Sequence, residues 1–226
     1  MHLRDLVQFL SELEENNHRA WFVMNKPRYD ILRGELLTLV EALIAGITRF
    51  DPAIAHCNPK KALFRVNRDL RFARGRPPYK TTFSAAITAS GLKKPSQGGG
   101  PAYYFHIDAK GTLLSAGGEY RPPPDRLRAV RQRIITDAAG FQNLLRDKGL
   151  QAAFGGLHLE DTLIRLPKGF DADSPHSEFL KLKSYIAWRE TNIRKLAPDK
   201  LEDLLLGDFK ASAALVKWLR SAGPTP

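Results

Sequence analysis

The feature that most constrains the fold is a strict alternation from Ala102 to Asp108, followed at once by a short turn and a second alternating run, Thr112 to Glu119. Tyr103, Phe105 and Ile107 fall on one face of the first run, with Tyr104, His106 and Asp108 on the other. Ala109-Lys110-Gly111 supplies the turn, so the two runs form a hairpin, the surest antiparallel element in the chain.

Helical periodicity surrounds this hairpin. Leu6, Phe9, Leu10 and Leu13 repeat at i, i+3, i+4 and i+7, which predicts an amphipathic helix ending near Asn16-Asn17. After a turn holding Trp21 and Phe22, Asn25 is placed as N-cap of a helix with Pro27 in its first turn. Leu32, Leu36, Leu39, Leu43 and Ile47 form its stripe, and Asp51-Pro52 ends it. Further helices are expected from Pro124, over Ala139–Lys148, over His176–Leu182 and across 198–221. In the first of these Leu127, Val130 and Ile134 face inward while Arg126, Arg128, Arg131 and Arg133 point elsewhere.

Additional strands are expected at Leu63–Asn67, Phe83–Ser90, Leu163–Leu166 and Ser184–Glu190, with Gly75–Pro78 and Lys93–Pro101 as loops. Consecutive strands at hairpin spacing, flanked by helices, predict an α+β protein rather than a doubly wound one: an antiparallel or mixed sheet of about five to seven strands covered by helices. The absence of repeats or a linker makes residues 1–226 a single domain.

One cysteine, Cys57, excludes an internal disulfide and any cysteine-cluster zinc site. The N-terminal segment carries acids within its apolar pattern, unlike a signal peptide, and the longest apolar run, Leu36–Ile47, is too short to span a bilayer. A cytoplasmic protein without membrane attachment is the expectation. A net charge of +11 attracts polyanions, nucleic acid among them.

That charge concentrates between Leu63 and Phe83, where Arg65, Arg68, Arg71, Arg74, Arg76 and Lys80 surround a lone acid, Asp69, interleaved with Phe64, Val66, Phe72 and Tyr79. Strand alternation puts Arg68 on the side of Phe64 and Val66, where a guanidinium needs a carboxylate, backbone carbonyls or a bound anion. Arg68, Arg71 and Lys80 together have the chemistry to cradle a phosphate or carboxylate; the plain alternative is a structural ion-pair network. His106 shares a strand face with Tyr104 and Asp108. That face offers an acid–base group, a metal ligand if Glu119 supplies a third donor, or simply a half-exposed histidine. Gly98-Gly99-Gly100 lacks the lysine and hydroxyl of a P-loop and reads as a flexible loop. No metal site or cofactor motif stands out.

Several separated pieces carry a resemblance: Trp21-Phe22 with Asn25-Lys26 and Tyr29, FRVNRDLRFARGRPPYKT from Phe64 to Thr81, YYFHID from Tyr103, Gly117-Gly118 with Tyr120-Arg121-Pro122, Leu166–Phe170, and Lys183-Ser184-Tyr185 with Arg189. Over about residues 5–190 the chain resembles the conserved hypothetical proteins grouped as domain of unknown function 2461. Ala73 and Gly75 depart from the family's usual small hydroxyl residue and acid. The resemblance implies one domain and no established activity. It also implies that Arg68, Asp69, Arg71, Tyr79 and Lys80 belong to one site, which Lys168 and Arg189 complete as a basic pocket.

The leading expectation is therefore a small anionic ligand held by Arg68, Arg71, Tyr79, Lys80, Tyr104, Lys168 and Arg189, with Asp69 or His106 moving a proton if the protein is an enzyme. The rivals are a nucleic-acid binder that stacks bases on Tyr79, Tyr104 or Phe72, and a partner-binding protein whose arginine cluster is structural.

Overall fold

The computed structural model describes residues 2–69, 71, 75–90, 100–171, 173–197 and 199–223. Phe72, Ala73, Arg74, Gly98 and Gly99, to which the sequence drew attention, lie outside the described residues.

The N-terminal helices are α1 (Leu3–Glu15), α2 (Arg19–Met24) and α3 (Lys26–Thr48), followed by a 3-10 turn at Pro52–His56 and the single turn α4 (Pro59–Ala62). The strands are β1 (Thr82–Thr88), β2 (Ala102–Asp108), β3 (Thr112–Glu119) and β4 (Tyr185–Asn192). Between β3 and β4 come α5 (Pro124–Thr136), α6 (Ala138–Leu145), α7 (Lys148–Phe154) and α8 (Ser177–Leu180); α9 (Lys200–Arg220) closes the chain. Where a turn was expected at Trp21, a short helix forms, and Asn25 serves its end: its Nδ2 donates to the Trp21 carbonyl at 3.0 Å.

Among the described residues the sheet has 4 strands in the order β1-β2-β3-β4, all antiparallel. The expectation of about five to seven strands is corrected by two segments that fail to extend a ladder. Leu63–Asn67 makes only the isolated bridges Leu63↔Ala85 and Asn67↔Tyr79, and Pro78, opposite Arg68, has no N–H with which to carry the pairing further. At Leu163–Leu166 the neighbouring bridge Thr162↔Leu182 goes no further; Ile164 is 96% exposed and so has no layer to pack against.

One sheet face is closed. Phe83, Ala85, Ile87, Tyr103, Phe105, Ile107 and Leu113 pack against α1, α3 and α9 in the main core. A second cluster joins Tyr185 and Ala187 of β4 to Val130, Ile134, Phe141, Leu150 and the C-terminal half of α9. Burial of these side chains, each contributing about 1.5–3 kcal/mol, drives the fold.

Two arginines expected to face outward on α5 are buried instead. Arg126 meets Glu119 and donates to the carbonyls of Leu219 (2.5 Å) and Gly223 (3.2 Å), so it caps the C-terminal end of α9. Arg131 donates Nη2 to the Leu182 carbonyl at 2.9 Å. Tyr103 and Arg220 converge on buried Asp51, tying α9 to the 3-10 turn.

Candidate functional site

Among the described residues the other sheet face carries no helix of the main core, and it forms the floor of a cleft of about 810 Å³. Period two explains its lining: the residues alternating with the core set are Ala86 on β1, Ala102, Tyr104 and His106 on β2, Leu114, Ala116 and Gly118 on β3, and Ile186 and Trp188 on β4. Phe64 enters from the segment beside β1. Tyr120–Pro123 and the stretch His158, Glu160 and Asp161 form the remaining rim.

The register aligns Ala86, Tyr104, Ala116 and Trp188 in one cross-strand row. Tyr104 and Trp188 therefore stand on either side of Ala116, whose methyl leaves the floor low between them. Around Tyr104 the contacts are aromatic and polar together. The Phe64 ring meets it edge-on at 6.2 Å, and the His106 ring lies 5.7 Å away with Nδ1 3.2 Å from the phenol oxygen. Burial pushes the Tyr104 phenol above its ordinary range. It also holds the His106 imidazole below its ordinary value, against an opposing pull from Asp108 and Glu190. On the far wall His158 packs against Trp188 at 5.0 Å.

Cations stand behind Phe64, outside the lining of the cleft itself. Lys80 stands with Nζ 5.3 Å from the centroid of the Phe64 ring. Partial burial, and then the charges of Arg68 and Arg65, lower its pKa. Among the described residues none of Lys80, Arg68 and Arg65 makes a close ion pair, although the Arg65 charge helps to lower the Asp69 carboxyl. At the opposite end Arg121 and Lys183 both reach Asp161, at 3.0 and 3.3 Å. Arg121 holds a left-handed backbone, φ 44°, with its N–H donating to the Ser184 hydroxyl.

The structure thus gathers Lys80, Tyr104 and His106 about Phe64, with Arg68 close to Lys80, and disperses the other candidates. Arg68 donates Nε to the Tyr79 carbonyl at 3.1 Å, one of the partner types its position called for. Phe64 and Val66, expected on one face, separate: Val66 enters the core and Phe64 the cleft. Tyr79 has its ring buried, stacked on Phe22 at 4.1 Å. Asp69 and Arg71 form an exposed ion pair (Nη2–Oδ2 2.8 Å), and hydrogen bonding from Arg71 holds the Asp69 carboxyl down to about 2. Arg189 points to the helical side of the sheet, where it binds Asp208 of α9 at 2.6 Å and Ser115 shares that carboxylate. Lys168 is exposed on the turn after Pro167. Glu119 pairs with Arg126, so it does not join His106 and Asp108; no group of three or more potential metal ligands forms among the described residues. Nor is any described helix long and apolar enough to cross a membrane.

Leu114, Ala116, Ile186, Trp188 and His158 were not singled out from sequence. A signal was present: Leu114, Ala116, Ile186 and Trp188 are apolar on the strand face that alternation assigns to solvent. A sheet with apolar residues on both faces has to cover the second face or use it.

Comparison with known proteins gives a family whose description reads Conserved hypothetical protein (DUF2461), matched over residues 5–218. No curated protein and no solved structure matches the chain.

Proposed function

The chain belongs to the conserved hypothetical protein family DUF2461, whose description names no activity, and we propose that its open sheet face binds a small organic anion. The observation that carries this reading is the composition of the cleft: aromatic and aliphatic walls on a sheet face that no described helix of the main core covers, with Lys80 seated against the lining ring of Phe64 and making no ion pair among the described residues. Its volume falls in the range of small-ligand sites, roughly 300–1,000 Å³, and such sites pair an apolar lining with a few placed polar groups. The ligand's apolar body displaces water from Tyr104, Leu114, Ile186 and Trp188. Its acidic group relieves the mutual repulsion of Lys80, Arg68 and Arg65.

Thermal-shift measurements with a panel of carboxylates and phosphates test the reading, comparing wild type with Lys80→Ala and, as a control on the exposed side of α9, Lys210→Ala. Stabilisation by at least one apolar anion, lost in Lys80→Ala and kept in Lys210→Ala, is the expected outcome. Ligands that stabilise all three proteins equally would place binding elsewhere.

Proton transfer is a second reading, favoured by the 3.2 Å contact between His106 Nδ1 and the Tyr104 hydroxyl. A neutral imidazole oriented by a phenol has the form of a general base facing a bound substrate. A cleft that binds ligands but turns none over, in wild type and His106→Gln alike, would leave binding as the whole function.

A further inference from the structure

Resting on the proposed binding role of the cleft, we infer that its ligand is a nucleoside phosphate, with the base held between Tyr104 and Trp188 and the phosphate directed toward Lys80.

The slot is set by the register. Tyr104 and Trp188 lie in one row on the strands either side of β3, so their backbones are two strand spacings apart, about 9.5 Å. Side chains stand roughly perpendicular to a sheet, and between these two rings the floor is only the Ala116 methyl, with Gly118 next along the strand. A branched aliphatic body gains little from aromatic rings on either side. A flat ring system enters edge-first and stacks.

The ends of the slot differ in the way a nucleotide's ends do. Toward β1 the wall continues from Tyr104 to Phe64, and Lys80 stands against Phe64 outside the lining, with Arg68 and Arg65 close enough to depress the lysine's pKa. Phe64 lies on the segment bridged to the outer edge of β1, so the ribose and phosphates run from the slot across Tyr104 and Phe64 toward Lys80. Several adjoining cations match a group carrying more than one negative charge better than a lone carboxylate. On the opposite side His158, Asp161 and the Ser184 hydroxyl offer donors and acceptors to the edge of a heteroaromatic ring. The net charge of +11 favours the approach of the same ligand class.

The same chemistry is available from a free nucleotide or from one residue of a single strand, and a cleft sized for one small ligand favours the free form. Titration calorimetry with AMP, ADP, adenosine, ribose 5-phosphate, decanoate and an oligothymidylate, on wild type, Ala116→Leu and Lys80→Ala, tests the inference. Circular dichroism and thermal melts establish that each variant is folded. AMP or ADP is expected to bind at least tenfold more tightly than adenosine and ribose 5-phosphate, and to lose at least tenfold in both Ala116→Leu and Lys80→Ala. Tighter binding of the oligonucleotide, also lost in Ala116→Leu, would support the slot with a strand as the source. Oligonucleotide binding indifferent to Ala116→Leu would overturn it in favour of surface attraction. Decanoate or ribose 5-phosphate binding as well as the nucleotides would overturn the nucleotide assignment while leaving the anion site intact. Binding of no probe here or in the wider anion panel would remove both.

Discussion

Tyr104 and His106 meet on the open face of the sheet with the phenol oxygen 3.2 Å from the imidazole Nδ1. Both side chains lean along one strand from alternate positions, and β1 and β3 on either side keep them partly out of water. Burial disfavours the imidazolium more than Asp108 and Glu190 favour it, so the folded protein keeps His106 neutral to a lower pH than an unfolded chain does.

The unfolded state therefore takes up this proton first. Stability contributed by neutral His106 is complete above the unfolded pKa, about 6.5, and is lost as pH falls from there to the lower folded value. The His106 imidazole resonance in an NMR titration is expected to shift with a midpoint below 6.5. In His106→Gln the matching slope in urea-unfolding free energy disappears. A midpoint at or above 6.5 would refute this account of the site.

Glu119 and Arg126 pair with side chains 5% and 1% exposed, and Arg126 also satisfies carbonyls at the end of α9. Burial raises the Glu119 carboxyl and the Arg126 charge opposes that rise. Arg126→Ala strands a carboxylate in the interior and is expected to cost about 3–5 kcal/mol in chemical denaturation. Glu119→Gln with Arg126→Met, which removes both charges at similar volume, is expected to cost distinctly less. Equal losses would mean that the helix cap, and not the pair, dominates.

How much of this was legible in the sequence follows from which forces are local. Alternation in Ala102–Asp108 announced the central hairpin because side-chain period in a strand is set by the backbone alone. The family signature at Arg68–Lys80 was also plain, yet its members scatter: Tyr79 stacks in the core, Arg71 holds Asp69, and only Lys80 and Arg68 approach the cleft. Proximity in sequence said nothing about which side of an irregular segment each would take. Arg189 could not be read as a core-side residue, because its partner Asp208 lies on a helix 19 residues later. Arg126 and Arg131 were hidden for a similar reason. Apart from Glu119 on the preceding strand, their partners are helix-end and loop carbonyls, and carbonyls carry no sequence signal. Trp188 joins the cleft only because β4 pairs with β3, a contact that closes the longest excursion between neighbouring strands.

Asp51 loses stability in the same pH direction as His106, but lower on the scale and for a different cause. Burial alone would raise its carboxyl, but bonds from Arg220 (2.9 and 2.7 Å) and from the Tyr103 hydroxyl (2.8 Å) outweigh burial and hold it below the usual range. Stability from this site is present above the unfolded pKa, about 3.9, and lost as pH falls through the folded value. Arg220→Ala is expected to cost about 3–5 kcal/mol at pH 7 and less near pH 3, where protonation begins to empty the pair of charge. Tyr103→Phe removes one hydrogen bond to a charged group and is expected to cost about 1.5–3 kcal/mol. Urea titrations at the two pH values check both.

Gly117 of β3 decides how closely α9 packs. A Cβ built there would land on the side chain of Ser212, with Val216 Cγ2 at 3.4 Å, so the helix rests on bare strand backbone at this point. Ser212 is itself fixed, since its hydroxyl donates to the Phe209 carbonyl at 3.1 Å. Gly117→Ala therefore forces strand and helix apart and is expected to cost about 1–3 kcal/mol as overpacking. Ser212→Gly alone costs about 1 kcal/mol for a glycine inside a helix. Combined, the two substitutions are expected to cost less than their sum, because the glycine vacates the space the alanine enters. A double-mutant cycle measured by thermal or urea unfolding reads that coupling directly, and strict additivity would show that α9 does not rest on Gly117.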